Sequence, residues 1–373
     1  MIRKIAFWIM MAMMPVAVSA QDPFFYIFLC IGQSNMVGQG EISDADRVVE
    51  DEGFLSLSAV DGPDGRKVGQ WRKAVPPLCR ANTGMSLVDF FGQALRKNLR
   101  KDVRIGVIHV AVDGCAIDLF DKDACEAYVK SQKADWMLNE IAAYDGNPYK
   151  RLVDMARLAQ KEGVIRGILL HQGETDAYNE QWLEKVKKVY GDLMTDLNLD
   201  PTKVPLVAGE AVGADQKGVC AHANPIINRL PEVLPNSYVA SSEGCQAGAD
   251  HLHFTTEGYR TLGTRYAMKM MQAMGYKEMH DGYETGPKQV AAPVEDFDVD
   301  GNIDSKGILH ATATAPIDRI EYVSFSGNVL KTVPMNGVKT ADVDMTQYPA
   351  EKRLVVVFYS KGGASVSFDY SAQ

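Results

Sequence analysis

Several features are missing from this sequence of 373 residues, and each absence narrows what the chain can do. There is no surplus of positive charge. With 39 Lys and Arg against 48 Asp and Glu the net charge is −9, so no basic patch is on offer to nucleic acid or anionic lipid. No Cys-x-x-Cys or His-Glu-x-x-His spacing argues for a bound metal. Internal repeats and low-complexity tracts are absent, which sets aside solenoids and disordered scaffolds. The longest apolar run, Ile5 to Val18, is too short for a comfortable membrane span. Arg3 and Lys4 precede it and Val18-Ser19-Ala20 follows, the pattern of a secretory signal peptide. Residues 1–20 are therefore expected to be removed, leaving a secreted or periplasmic protein that starts near Gln21 and is not inserted in a membrane.

Cysteine is sparse, with six in all. None falls at the expected new N-terminus to take a lipid. Export permits disulfides, and Cys115 with Cys125 and Cys220 with Cys245 are plausible local pairs, whereas Cys30 lies inside a strand pattern and reads as a buried free thiol. At 46% hydrophobic and 23% charged the composition is that of an ordinary globular protein. The length exceeds what one core usually supports, so two units are expected.

The chain is organised around Ile31-Gly32-Gln33-Ser34-Asn35-Met36. This stretch directly follows Phe24 to Cys30, an apolar run with the length and texture of a strand buried on both faces. Further strands are expected at Val103–Val112, Ile165–Leu170, Val204–Ala208 and Ser237–Ser241. They alternate with helices that begin near Ser86, Pro148 and Gln181, and with one that Thr255 caps and that runs to Met274. Such alternation indicates a parallel sheet with helices on both faces. Val37 to Gly84 reads as a long irregular loop, in which Trp71 and Arg72 either meet a sugar ring or pack on the loop's own small core. Lys277 to Pro293 reads as a linker, and short runs from Phe297 onward suggest a small β-sandwich-like unit. The expected organisation is a signal peptide at 1–20, a catalytic α/β domain at 21–283, and a linker with a small all-β domain at 284–373.

Polar residues follow several of the strands. Ser34 stands after the first, Gly114 after the second, His171-Gln172-Gly173-Glu174 after the third, and Asp250-His251-Leu252-His253 before the last helix. In an open α/β sheet that edge is where ligands bind. Each residue has a plain structural reading: Ser34 as a helix cap, Gly114 as a turn glycine, His253 as a capping residue. Together they compose one chemistry. Ser34 is a nucleophile, His253 its base and Asp250 the carboxylate that orients the imidazole, while the Ser34 and Gly114 N–H groups and the Gln172 amide are donors for an oxyanion.

These blocks resemble those of the SGNH hydrolase superfamily, and Gly-Gln-Ser-Asn-Met with His-Gln-Gly-Glu resembles in particular carbohydrate esterase family six and the sialate O-acetylesterase-like proteins. The resemblance spans about residues 24 to 275. It implies a flavodoxin-like three-layer α/β/α sandwich, no cofactor, and removal of O-acetyl groups from a carbohydrate, such as xylan or a sialic acid, through an acetyl-serine. It also leaves two candidates for the acid beside His253, namely Asp250 and Glu174. Two other readings stand beside it: a lipid or aryl esterase on the same scaffold, and a non-catalytic carbohydrate-binding surface protein.

Overall fold

The computed structural model describes residues 21–276, 297–324, 329–348, 353–360 and 365–371. The expected signal peptide and the expected linker from Lys277 to Pro293 lie outside these residues. The chain divides into two compact units, 1–287 and 288–373, where the sequence suggested a boundary after 283.

The first unit is built on a seven-stranded sheet in the order β3-β2-β4-β1-β5-β6-β7. Its strands are β1 (Phe25–Gly32), β2 (Phe54–Leu57), β3 (Trp71–Lys73), β4 (Arg104–Ala111), β5 (Val164–His171), β6 (Leu206–Gly209) and β7 (Ser237–Ala240). All pairings are parallel except that of the edge strand β3 with β2. Strand β1 is central, and every one of its residues is buried. Its side chains alternate between two cores: Phe25, Ile27, Leu29 and Ile31 enter one, and Tyr26, Phe28 and Cys30 the other. A side chain of this size contributes about 2 kcal/mol on burial, which is why a continuous apolar run marks a strand covered on both faces.

Nine helices among the described residues cover the sheet: α1 (Ser34–Val37), α2 (Leu87–Asn98), α3 (Cys125–Ser131), α4 (Asp135–Ala142), α5 (Pro148–Ala159), α6 (Trp182–Asp196), α7 (Asn224–Ile227), α8 (Leu230–Val233) and α9 (Thr256–Ala273). Helices α2 and α9 bury their apolar stripes in the core that holds Phe28, and α5 and α6 bury theirs in the core that holds Ile27. Ser86 caps α2 in a complete capping box with Asp89, and Thr255 caps α9 by accepting from the Gly258 N–H. None of the described helices is long and apolar enough to cross a membrane.

Two expectations about the first unit are corrected. The stretch from Val37 to Gly84 is not wholly irregular, since it supplies β2 and β3. There Trp71 packs on Phe25 with ring centroids 4.8 Å apart and its indole donates to Glu162, at the sheet's edge rather than over a ligand site. All six cysteines are unpaired. The Cys115 thiol faces the Gly32 carbonyl and the Cys220 thiol the Glu174 carbonyl, each at 3.7 Å, so neither points at its expected partner.

In the second unit, β8 (Val299–Ile303), β9 (Ile308–Ser324), β10 (Val329–Asp344), β11 (Arg353–Ser360) and β12 (Ser365–Ser371) form an antiparallel sheet. The sequence suggested a sandwich; the strands instead share one hydrogen-bonded sheet. Strand β9 is long enough to pair with β8 along its first half and β11 along its second, which joins what would otherwise be two sheets. Leu309, Ile320, Val343, Val356 and Phe358 belong to its own core.

Candidate active site

The sheet order places β1 between β4 and β5, with later strands to one side and earlier ones to the other. This is the switch point at which a crevice opens beyond the strands' carboxyl ends. Residues 33–35 follow β1 there, 113–115 follow β4 and 171–176 follow β5. The turn out of β1 is tight because a Cβ at Gly32 would lie 2.0 Å from the His171 carbonyl oxygen, a distance no other residue can accept.

Three side chains form a chain of hydrogen bonds. Ser34 Oγ lies 2.8 Å from His253 Nε2, and His253 Nδ1 lies 2.7 Å from Asp250 Oδ2. The other Asp250 oxygen accepts from the Leu252 and His253 N–H groups, each at 3.0 Å. Burial pushes the Asp250 carboxyl upward, but these two N–H groups and the imidazole more than offset it and hold the group at about 2. An ionised Asp250 keeps a proton on Nδ1 and leaves Nε2 to accept from the serine. His251 points elsewhere, to the Gln216 carbonyl at 3.0 Å.

Glu174, the other candidate acid, does not touch His253. Its Oε1 accepts from Asn35 Nδ2 at 2.7 Å and lies 3.5 Å from His171 Nε2, too far for a good hydrogen bond. Burial raises this carboxyl, but contact with His171 and the Asn35 amide outweighs the burial and holds it below the ordinary carboxylate range. Asn35 also donates to the Leu252 carbonyl at 3.0 Å, while its Oδ1 accepts from the Phe254 N–H at 3.2 Å and the Tyr259 hydroxyl at 2.8 Å. One buried amide thus grips the backbone on both sides of His253. The Gly-Gln-Ser-Asn motif contains Asn35, but its partners at 174, 252, 254 and 259 are set by the tertiary fold and left no signal in the sequence.

Gln172 departs from the expected role of oxyanion donor. Its Nε2 is engaged by Asp176 Oδ2 at 2.8 Å and by Gln33 Oε1 and the Cys115 carbonyl at 3.2 Å, and its Oε1 accepts from the Trp182 indole at 2.6 Å. These bonds make it a buried brace between three loops. Gln33 Oε1 also accepts from the Thr175 N–H, and the Thr175 hydroxyl donates to the Gly114 carbonyl.

Gly114 is where the sequence placed it, on the wall of the cavity that holds Ser34. Its φ of +62° is open to glycine, and a Cβ would come within 3.1 Å of the Trp136 ring. Its turn is anchored by Glu140, which accepts from the Asp113 N–H at 2.9 Å and pairs with the buried Arg80 at 2.7 Å. The cavity measures about 400 Å³, with Gln33, Gln39, Trp136, Thr175 and Leu252 among its walls. Trp136, half exposed, is a lining residue that the sequence did not single out. Away from the site, the carboxylates of Asp121, Asp123 and Asp192 converge, but Lys188 Nζ sits among them at 2.7 to 2.9 Å, which fills the place of a cation.

Residues 25–272 match the family model described as carbohydrate esterase, sialic acid-specific acetylesterase. The chain belongs to this family. Among solved structures, this esterase is similar to a protein from Arabidopsis thaliana at 23% identity, covering 66% of this chain and 98% of that one with a TM-score of 0.50. It is also similar to NanS, at 15% identity over 68% of this chain and 98% of the other with a TM-score of 0.49. An acetyl xylan esterase from the rumen bacterium Butyrivibrio proteoclasticus aligns at 11% identity over 69% and 66%, with a TM-score of 0.34. The first of these likenesses speaks to the fold, the three-layer α/β/α arrangement.

Proposed function

We propose that this protein is an exported carbohydrate O-acetylesterase that works through an acetyl-serine at Ser34. The observation that carries the reading is the hydrogen-bonded chain from Ser34 through His253 to Asp250, at 2.8 and 2.7 Å. In this reading Ser34 Oγ attacks the acetyl carbonyl as His253 Nε2 takes its proton. The Ser34 and Gly114 N–H groups receive the charge that develops on the carbonyl oxygen. His253 then gives the proton to the departing sugar oxygen, and water repeats the sequence on the acetyl-enzyme.

A short acyl group suits the site. Trp136 and Leu252 are the large apolar groups in its wall, beside Gln33, Gln39, Asp113 and Thr175, and a cavity of about 400 Å³ has room for an acetyl group. Two results test the proposal. The protein should release acetate from an acetylated polysaccharide, with the activity lost in Ser34→Ala, and a serine-directed phosphonate should label Ser34. Labelling at another residue, with Ser34→Ala still active, would refute it. Export is tested separately by sequencing the N-terminus of protein recovered outside the cytoplasm, which should begin near Gln21.

A further inference from the structure

Gln172 is committed as a brace, and one of the groups it holds is the Gln33 amide. Both amides can be oriented without ambiguity. The Trp182 indole can only donate, so the Gln172 atom facing it at 2.6 Å is the oxygen, which leaves the nitrogen to Asp176, Gln33 and the Cys115 carbonyl. The Thr175 N–H can likewise only donate. It lies 3.1 Å from the Gln33 amide, so the Gln33 oxygen is the atom turned toward it and toward Gln172. The Gln33 nitrogen faces away from both.

That nitrogen makes no hydrogen bond among the described residues, yet it is not one of the unpaired atoms sealed from solvent, although Gln33 as a whole is only 3% exposed. Gln33 lines the cavity that holds Ser34, so the opening its nitrogen meets is the space beside the serine. The other amide and hydroxyl groups on this wall are engaged. Gln39 Nε2 donates to Asp113 at 3.0 Å, the Thr175 hydroxyl donates to the Gly114 carbonyl at 3.0 Å, and Ser34 faces His253. Thr175 thus ties the Gln33 amide to Gly114, and Gln33 is the chain neighbour of Ser34. A nitrogen fixed there adjoins the two backbone N–H groups already assigned to the oxyanion.

We propose that Gln33 Nε2 is the side-chain donor of the oxyanion site and that Gln172 is the positioning residue that aims it. The proposal rests on the esterase reading above. As Ser34 Oγ bonds to the acetyl carbon and its proton passes to His253 Nε2, the carbonyl π pair moves onto oxygen. Gln33 meets that charge with an N–H whose direction is set before the reaction begins. The pair returns when the bond from the acetyl carbon to the sugar oxygen breaks and His253 protonates that oxygen.

Gln33→Glu in the full-length protein removes the donor and keeps an acceptor for Thr175 and Gln172. On 4-nitrophenyl acetate its kcat should fall by about 100-fold or more with KM within about threefold, with folding verified by circular dichroism. A purely bracing role would leave kcat near the parental value. A loss of less than about tenfold, or one carried by KM alone, overturns the proposal. A crystal structure of the unmodified enzyme phosphonylated at Ser34 gives a second reading that needs no variant and introduces no charge. The phosphoryl oxygen should lie about 2.7–3.2 Å from Gln33 Nε2. An oxygen bonded to Gln172 Nε2 instead, or out of reach of Gln33, overturns the proposal. If the unmodified enzyme neither cleaves 4-nitrophenyl acetate nor takes the phosphonate at Ser34, the esterase reading fails and this one falls with it.

Discussion

Replacing Asn35 with alanine should disable the site without touching any group that reacts. Four hydrogen bonds converge on this amide. Two are donated, to Glu174 and the Leu252 carbonyl, and two are accepted, from the Phe254 N–H and the Tyr259 hydroxyl. Leu252 and Phe254 flank His253, so one side chain fixes the base relative to the serine beside it. Alanine would leave the Glu174 carboxylate short of a donor, and the Phe254 N–H and Tyr259 hydroxyl without an acceptor. All three residues are buried. An unsatisfied buried polar group costs about 1–3 kcal/mol, and the three are close enough to share any relaxation, so a loss of about 3–5 kcal/mol is expected rather than their full sum. A base displaced by about 1 Å costs on the order of 100-fold in rate, so kcat should fall by about that factor with KM within about threefold. Asn35→Asp supplies a test that a purely steric account would not pass. It sets a second carboxyl where Nδ2 now lies 2.7 Å from Glu174, and two carboxyls so placed retain one proton between them. The pair's folded pKa is then raised above its unfolded value of about 4, the folded state holds the extra proton, and the variant's stability relative to the parent should decline as pH rises from about 4 through the raised value. Urea unfolding at pH 5 and pH 8, with kcat on 4-nitrophenyl acetate, reads both effects. Parental kcat in Asn35→Ala, or a pH-independent deficit in Asn35→Asp, would refute the clamp.

Asp250→Asn should lower kcat by roughly 10⁴-fold, the scale of losing a triad carboxylate, because Asp250 contacts the imidazole directly. Glu174→Gln, which removes a contact to Asn35 and His171 and none to the His253 imidazole, should cost about 100-fold or less; a larger loss there than in Asp250→Asn would reverse the assignment. Gln172→Ala should lower the unfolding midpoint together with kcat, since it strips partners from Asp176 and the Trp182 indole. A drop in kcat of about 100-fold at unchanged stability would instead restore it as an oxyanion donor. Residues 1–283 alone should fold and cleave 4-nitrophenyl acetate at close to the full-length rate, because the first unit has two cores of its own; insoluble or inert protein would show that the catalytic unit depends on the second.

What the sequence disclosed follows the range of the forces involved. The buried strands were legible because coverage on both faces turns them into unbroken apolar runs, as in β1. Strands β2 and β3 were hidden because four and three residues set among Gly, Asp and Pro turns carry no periodicity. Helix α4 was hidden for a related reason, with only Met137 and Ile141 of its eight residues buried. The contact between Asp250 and His253 could be read from a spacing of three in one turn. Gln172 could not, because an amide both donates and accepts, and the acceptors that claim its nitrogen come from Gln33, Cys115 and Asp176, which only the folded sheet edge brings together. Asn35 shows where the two regimes meet. Successive residues on a helix point about 100° apart, so the first turn of α1 can turn Ser34 toward the cavity and Asn35 toward the interior. The reacting hydroxyl and the amide that holds its base in place are therefore neighbours in the chain, and only the chemistry of the first is visible before the chain is folded.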